Sequence, residues 1–289
     1  MSIELAIGLG VASAIVYGTS IVVQHQVVHQ PGGDEDPAGL LQTVRDPRWL
    51  LAIGGDFIGF VLQIGALSAG SVVLIQPLVV LMLPVAMIAG PLLGGPRPRP
   101  GDYLGALAVV GGLAVFLSLI GVPGASHAPH PRRMILAIAL ALILGTVACL
   151  AVTGRRAVIR GAMYGVVAGV YFGTLGVLVD AASDRYSVGG IHELVASLRG
   201  LVPLIGIVLL GLGGIVLTQV SFQVGALGAT LPANLSADPL AGVVLGSILL
   251  REHIPVGPWH LVGYGLCLAA VIAGAVRLAA PHAAVDPVH

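Results

Sequence analysis

The chain has 289 residues, of which 57% are hydrophobic and 9% charged, and its mean hydropathy is +1.02. Soluble domains carry about 25% charged residues, so a water-exposed globule is excluded: too little polar side chain is present to cover one. Thirteen basic residues, all Arg, balance thirteen acidic ones without forming a basic block, which removes nucleic acid as an expected partner.

A helix needs about 20 apolar residues to cross a ~30 Å hydrocarbon layer. Nine segments meet that demand, at 3–24, 49–67, 71–93, 103–122, 134–152, 161–180, 201–222, 225–249 and 259–279. The start, Met1-Ser2-Ile3-Glu4, lacks the basic region of a signal peptide, so the first run is expected to be a retained span. Charge collects between the segments, as in Asp34-Glu35-Asp36 and in the proline-rich loop at 94–102. The stretch at 181–200, with Asp184, Arg185, Glu193 and Arg199, is expected to be a loop with room for a short interfacial helix. Cys149 and Cys267 fall inside apolar segments, where a structural disulfide is not expected.

Nine spans put the termini on opposite sides. Arg45, Arg48, Arg97, Arg99, Arg155, Arg156, Arg160 and Arg277 lie on one side, eight against the five of Arg132, Arg133, Arg185, Arg199 and Arg251 on the other. The positive-inside rule then predicts an outer N-terminus and a cytoplasmic C-terminus. The lysine-free composition, rich in Gly, Ala, Val and Leu, suggests that the membrane is a bacterial plasma membrane.

The sequence repeats itself at an offset of 155 residues. Gly10, Val11, Gly18 and Thr19 fall on Gly165, Val166, Gly173 and Thr174; Gly59, Val61, Leu62 and Gly70 fall on Gly214, Val216, Leu217 and Gly225. Pro77, Pro84 and Ala86 fall on Pro232, Pro239 and Ala241, and after a three-residue insertion Pro100 and Gly105 fall on Pro258 and Gly263. Paired prolines in register with glycines two helices away are hard to obtain from apolar composition alone. The expected organisation is a first repeat over 1–122, a linking helix with its loops over 123–159, a second repeat over 160–280 and a short tail over 281–289. Five spans separate equivalent positions, an odd number, so the copies are expected to be inverted. The predicted fold class is thus an all-α integral membrane protein of two inverted four-helix repeats and one linking helix. Inverted repeats build many secondary transporters, with a binding site near the midplane.

The run from Gly59 to Gly70 (GFVLQIGALSAG), with Gln76-Pro77-Leu78 and a Gly/Pro-rich loop before Gly105, resembles the drug/metabolite transporter superfamily. So does the run from Gly225 to Pro232 (GALGATLP), followed by Leu249-Leu250-Arg251-Glu252 and the helix of Gly263. The plan of nine spans is most similar to the NIPA-type, magnesium-transporter branch. That resemblance implies transport of a small solute or cation. The glutamate that commonly closes the penultimate helix of each copy is present as Glu252, whereas Gly94-Gly95 stand in that region of the first copy.

An ionisable side chain at membrane depth costs roughly 2.5–3.5 kcal/mol on insertion scales and is a functional candidate by default. Two carboxylates lie well inside the predicted spans, Asp56 and Asp238, one from each copy, and their repeat equivalents are Gly211 and Leu83. No arginine shares that depth, which points to protonation, hydration or a bound cation. Thr230, Asn234 and Asp238 lie on one helix face at i, i+4 and i+8, flanked by Pro232 and Pro239; Asp56 and Gln63 share another face. Interhelical hydrogen bonding is the bland reading of Asn234, Gln63, Gln76, Gln219 and Gln223. Tyr17 and Tyr171 precede the repeated Gly-Thr pairs and could line a cavity between the copies. The stripe Gly165, Gly169 and Gly173 reads first as close helix packing. His25, His29, His127 and His130 lack a third ligand at the spacing a zinc site needs.

No hydrolase or phosphate-binding motif is present, so no catalytic residue and no cofactor are expected. The expected partners are a small-molecule or ion substrate and the bilayer, with a homodimer left open. A flippase or exporter of a lipid-linked sugar or amphiphile, and a non-transporting membrane subunit, are the alternatives to a transporter.

Overall fold

The computed structural model describes residues 3–28, 46–94, 97–120, 129–224, 227–251, 255 and 257–279. Among them the fold is all helix: α1 (Ile3–Val28), α2 (Pro47–Ala69), α3 (Val72–Leu92), α4 (Pro100–Ile120), α5 (Pro131–Ala151), α6 (Ala157–Ala196), α7 (Leu198–Val224), α8 (Leu227–Leu249) and α9 (Pro258–Ala279). Seven helices, α1 to α7, are long and apolar enough to cross a membrane, and α8 and α9 hold shorter apolar stretches at Ala233–Leu249 and Pro258–Gly274. The loop acids Asp34, Glu35 and Asp36, together with His29, His127 and Glu252, lie outside the described residues.

Local chemistry sets several helix starts. Asp46 accepts a hydrogen bond from the Arg48 N–H at 2.7 Å ahead of Pro47, and His130 Nδ1 accepts from the Arg132 N–H ahead of Pro131. Proline suits the first helical position because its missing N–H would have no partner there. Within α3 the prolines act differently. An α turn at Val72–Ile75 gives way to a 3-10 stretch over Gln76–Leu81 before the α-helix resumes at Met82–Leu92. Pro77 opens that stretch, since it cannot donate to the carbonyl four residues back, and tighter i to i+3 bonding replaces the α pattern.

The expected end of the sixth span at residue 180 is corrected: α6 continues to Ala196, broken only at Gly189 and Gly190. Residues 181–188 contain neither Gly nor Pro, so nothing stops the helix as it leaves the apolar layer. Gly189 is the first residue to leave helical geometry, and Gly190 follows with φ +63°, a conformation that costs glycine little. The unbroken part, residues 157–188, is ~48 Å long at 1.5 Å per residue, well beyond a ~30 Å layer.

α3 and α6 occupy the centre, with 61% and 67% of their apolar stretches buried, whereas α5 is outermost at 17%. α1 packs on α2 and α3, α6 packs on α7 and α8, α4 pairs with α9, and α5 leans on α6 and α7. The largest core cluster joins Ala6, Ala66, Leu67, Ile75 and Leu78 from α1 to α3 with Leu175, Val177 and Leu249 from α6 and α8. The outer faces carry Leu51, Phe57, Leu107, Leu144, Leu212 and Leu266 exposed, with Trp259 at the start of α9. On a soluble protein that much exposed apolar surface would drive association; against lipid tails it is the expected finish, and tryptophan belongs at the interface.

Candidate functional site

Glycines decide how closely α6 and α8 approach. A Cβ at Gly165, Gly169 or Gly173 would collide with the backbone carbonyl oxygen of Thr230, Asn234 or Asp238 respectively. The two helices therefore run in the same direction, the small-residue stripe of α6 lying on the polar stripe of α8. α1 and α3 show a similar arrangement: Gly10 faces Ile75 and Leu78, and Gly18 faces the Met82 carbonyl and Val85.

Against this frame the polar side chains form two groups. On α1 and α2, Ser13 Oγ donates to the Gly59 carbonyl at 2.8 Å, the Tyr17 hydroxyl donates to Gln63 Oε1 at 3.3 Å, and Gln24 Nε2 donates to Asp56 Oδ2 at 2.7 Å. Ser20 hydrogen-bonds the same Asp56 carboxylate. Ser13, Tyr17, Ser20 and Gln24 recur at i, i+4, i+7 and i+11, so one face of α1 supplies the whole row.

The second group centres on Asp238 of α8, which is 6% exposed. Gln76, fully buried at the start of the 3-10 stretch of α3, donates through Nε2 to Asp238 Oδ1 at 2.5 Å and to the Phe172 carbonyl of α6 at 3.5 Å. Gly176 and Gly242 wall in the Gln76 side chain, and a Cβ on either would collide with it. Asn234 turns to α7, donating through Nδ2 to Thr218 Oγ1 at 3.1 Å. Thr230 is fully buried on the same face of α8.

Tyr17 links the two groups: its phenol lies within electrostatic reach of both Asp56 and Asp238. The structure thus gathers Asp56, Gln63 and Tyr17 with Asp238. It does not bring Tyr171 to them. That ring is wedged between Gly145 of α5 and Gly213 of α7, within an apolar cluster with Met134, Ile138 and Val167.

Sequence reasoning undervalues two polar residues. Gln76 reads as one of several glutamines open to bland bonding, although its repeat equivalent, Leu231, is apolar, and that asymmetry is a usable signal. Asp180 falls at the end of an expected span, yet it is buried, because α6 runs on past it. Among the described residues no group of three or more His, Cys, Asp or Glu could hold a metal ion.

The long apolar helices and their lipid-type outer surface make this an all-helical, multi-pass membrane protein. The chain is 27% identical over 278 residues to an uncharacterized protein of Corynebacterium glutamicum, covering 95% of this chain and 94% of that one. No family model matches it, and no solved structure does either.

Proposed function

We propose that the chain is a secondary transporter that moves a small solute or cation by alternating access of two inverted four-helix copies, α1–α4 and α6–α9, with α5 between them. The observation that carries this reading is the hydrogen bond from Gln76 of one copy to Asp238 of the other, with Tyr17 of the first copy within electrostatic reach of Asp238. Asp238 is buried and Asp56 half-buried, and acids at membrane depth without a basic partner are expensive and mark ion or substrate paths.

The repeat gains support from packing. Gly18 meets the Met82 carbonyl and Gly173 meets the Asp238 carbonyl; at the sequence offset of 155, Met82 corresponds to Ala237, one residue from Asp238. The pairing of α1 with α2 and α3 is likewise matched by that of α6 with α7 and α8. In this reading all nine helices span, the N-terminus is outside the cell and the C-terminus is cytoplasmic. The resemblance to drug/metabolite transporters agrees with it, and magnesium, suggested by the NIPA-type branch, is the first solute to try. The carboxylates stand singly, each with a glutamine, which suits a proton or a monovalent or organic cation better than a dehydrated divalent ion.

The test is solute entry into proteoliposomes, first with an internal magnesium indicator and then with a panel of amines and small metabolites, for the wild type, Asp56→Asn and Asp238→Asn. Entry of one solute that both substitutions abolish, with folding intact, is the expected result. Entry untouched by either removes the acids from the mechanism, and no entry of any solute leaves a lipid-linked substrate or a non-transporting subunit.

A further inference from the structure

Asp238 and Gln76 form a matched pair with one bond missing. The Gln76 amide donates to Asp238 Oδ1 at 2.5 Å, while the oxygen of the same amide, Oε1, is buried and has no hydrogen-bond partner. A buried acceptor left unmade is costly and calls for an explanation. The amide cannot easily swing away to find a partner, because Gly176 and Gly242 close on it from two helices. An ionised carboxylate only accepts hydrogen bonds, but a carboxylic acid also donates one. A primary amide and a carboxylic acid can therefore join by two bonds in a ring, N–H to the acid carbonyl and acid O–H to the amide carbonyl. The first of those bonds is present here, and the unpartnered Oε1 is the acceptor for the second.

We infer that Asp238 carries a proton on Oδ2 when α3, α6 and α8 are packed in this way, and that the Gln76–Asp238 pair is a proton-coupling site. This rests on the transport reading above for its role, though not for its chemistry. The proton arrives from water on one side of the membrane, the carboxylate charge goes from −1 to zero, and the O–H donates to Gln76 Oε1. Separation of α8 from α3 breaks the ring and returns the proton to water on the other side; no other bond forms or breaks. Gln76 stands at the first residue of the 3-10 stretch of α3, so the ring fastens the acid of one half to the irregular point of the other. Mid-helix 3-10 segments often mark hinges.

The charged and titratable neighbours leave the site to a proton. Tyr17 of α1 faces Asp238 at electrostatic range. α3 has no titratable residue, and α7 has only Arg199, in its first turn. On α9, Tyr264 meets Phe116 of α4 edge-on and lies beside His260, Arg277 donates to the Gly101 carbonyl, and the Cys267 backbone meets Gly112, so that face turns to α4. On α6, Tyr171 turns to α5 and α7, and Asp180 lies seven residues past Gly173, ~10 Å further along the helix. A metal ion at Oδ1 would meet the positive end of the Gln76 N–H instead of a ligand.

Infrared difference spectroscopy of the full chain in lipid vesicles reads the proton directly, through the carbonyl stretch of a protonated carboxyl. At neutral pH the wild type should show such a band, Asp238→Asn should remove it, and Asp56→Asn should leave it in place. Gln76→Leu, which deletes both hydrogen bonds, should move the band to higher frequency, and Gln76→Asn, which shortens the amide by one methylene, should move it in the same direction. Asp238→Asn keeps an amide that can bond Gln76 Oε1, so this variant is expected to fold. Absence of any band that Asp238→Asn removes, or a band that neither Gln76 variant moves, overturns the inference. The spectrum needs no transported solute: an Asp238 band without flux upholds the proton site and sinks the transport reading, whereas flux without that band overturns the proton site alone.

Discussion

Gln76 and Asp238 stand 162 residues apart in the chain and 2.5 Å apart in the fold. They belong to α3 and α8, the first of which passes into its 3-10 stretch at Gln76, and the bond between them crosses the boundary between the two proposed copies. Gln24 and Asp56 make a similar amide–carboxylate bond, but within one copy. The two acids therefore differ in what they hold together, and the variants below should separate them.

The glycine stripe of α6 leaves no room for a side chain. Gly169→Val and Gly173→Val each drive a branched group into the carbonyl of Asn234 or Asp238 and should cost about 1–3 kcal/mol, the range for overpacking a tight interface. Thermal unfolding in detergent should show a clearly lower midpoint for both. Gly54→Ala, at a position with open space around it, should leave the midpoint unchanged, and a comparable loss there would show that the effect is not one of helix approach.

The bond from Asn234 to Thr218 ties α8 to α7. Interhelical hydrogen bonds in membranes average ~0.6 kcal/mol in double-mutant cycles. Asn234→Ala, Thr218→Ala and the double variant should therefore show a coupling of about that size in unfolding free energy. Strict additivity would mean that the two side chains contribute independently.

Tyr17 and Tyr171 occupy equivalent-looking places in the sequence and different places in the fold. Tyr17→Phe removes the hydroxyl bonded to Gln63 and within electrostatic reach of both acids; solute flux should fall by about fivefold, the scale of a bond worth ~1 kcal/mol, with little change in stability. Tyr171→Phe, in an apolar cluster against α5, should leave flux at the wild-type level. Equal loss in both would count against the asymmetry seen here.

Gln24 is the principal amide on Asp56. Gln24→Leu leaves that carboxylate with the Ser20 bond and should destabilise the fold by about 1–3 kcal/mol, the penalty for an under-satisfied polar group. Asp56→Asn in the same background should recover most of it, because a neutral amide is cheaper to bury than a charge. Chemical unfolding of the wild type and these two variants checks both signs.

Much of this was legible in the sequence for a physical reason: lipid permits helices as spanning elements, so apolar length alone located α1 to α5 and α7 within a few residues of their observed bounds. The polar positions were legible too, since Asp56 and Asp238 are conspicuous in an apolar field. Their partners were not. Nearly every helix face here is apolar, so periodicity does not say which faces meet, and it could not bring Gln76 to Asp238 or turn Tyr171 toward α5. Nor could a fixed span length foresee that α6 would run on until Gly189 and Gly190 released it, burying Asp180 on the way.

Labelling of one deep position from both sides of the membrane tests the central claim most directly. Tyr17→Cys, with Cys149 and Cys267 replaced by Ala, would be placed in vesicles of known orientation and exposed to a membrane-impermeant maleimide from either face. Alternating access predicts that the thiol at position 17 reacts from both sides in turn while the vesicles remain sealed. Reaction from one side only, or from neither, in a variant that stays monodisperse would contradict a transporter built on two rocking copies.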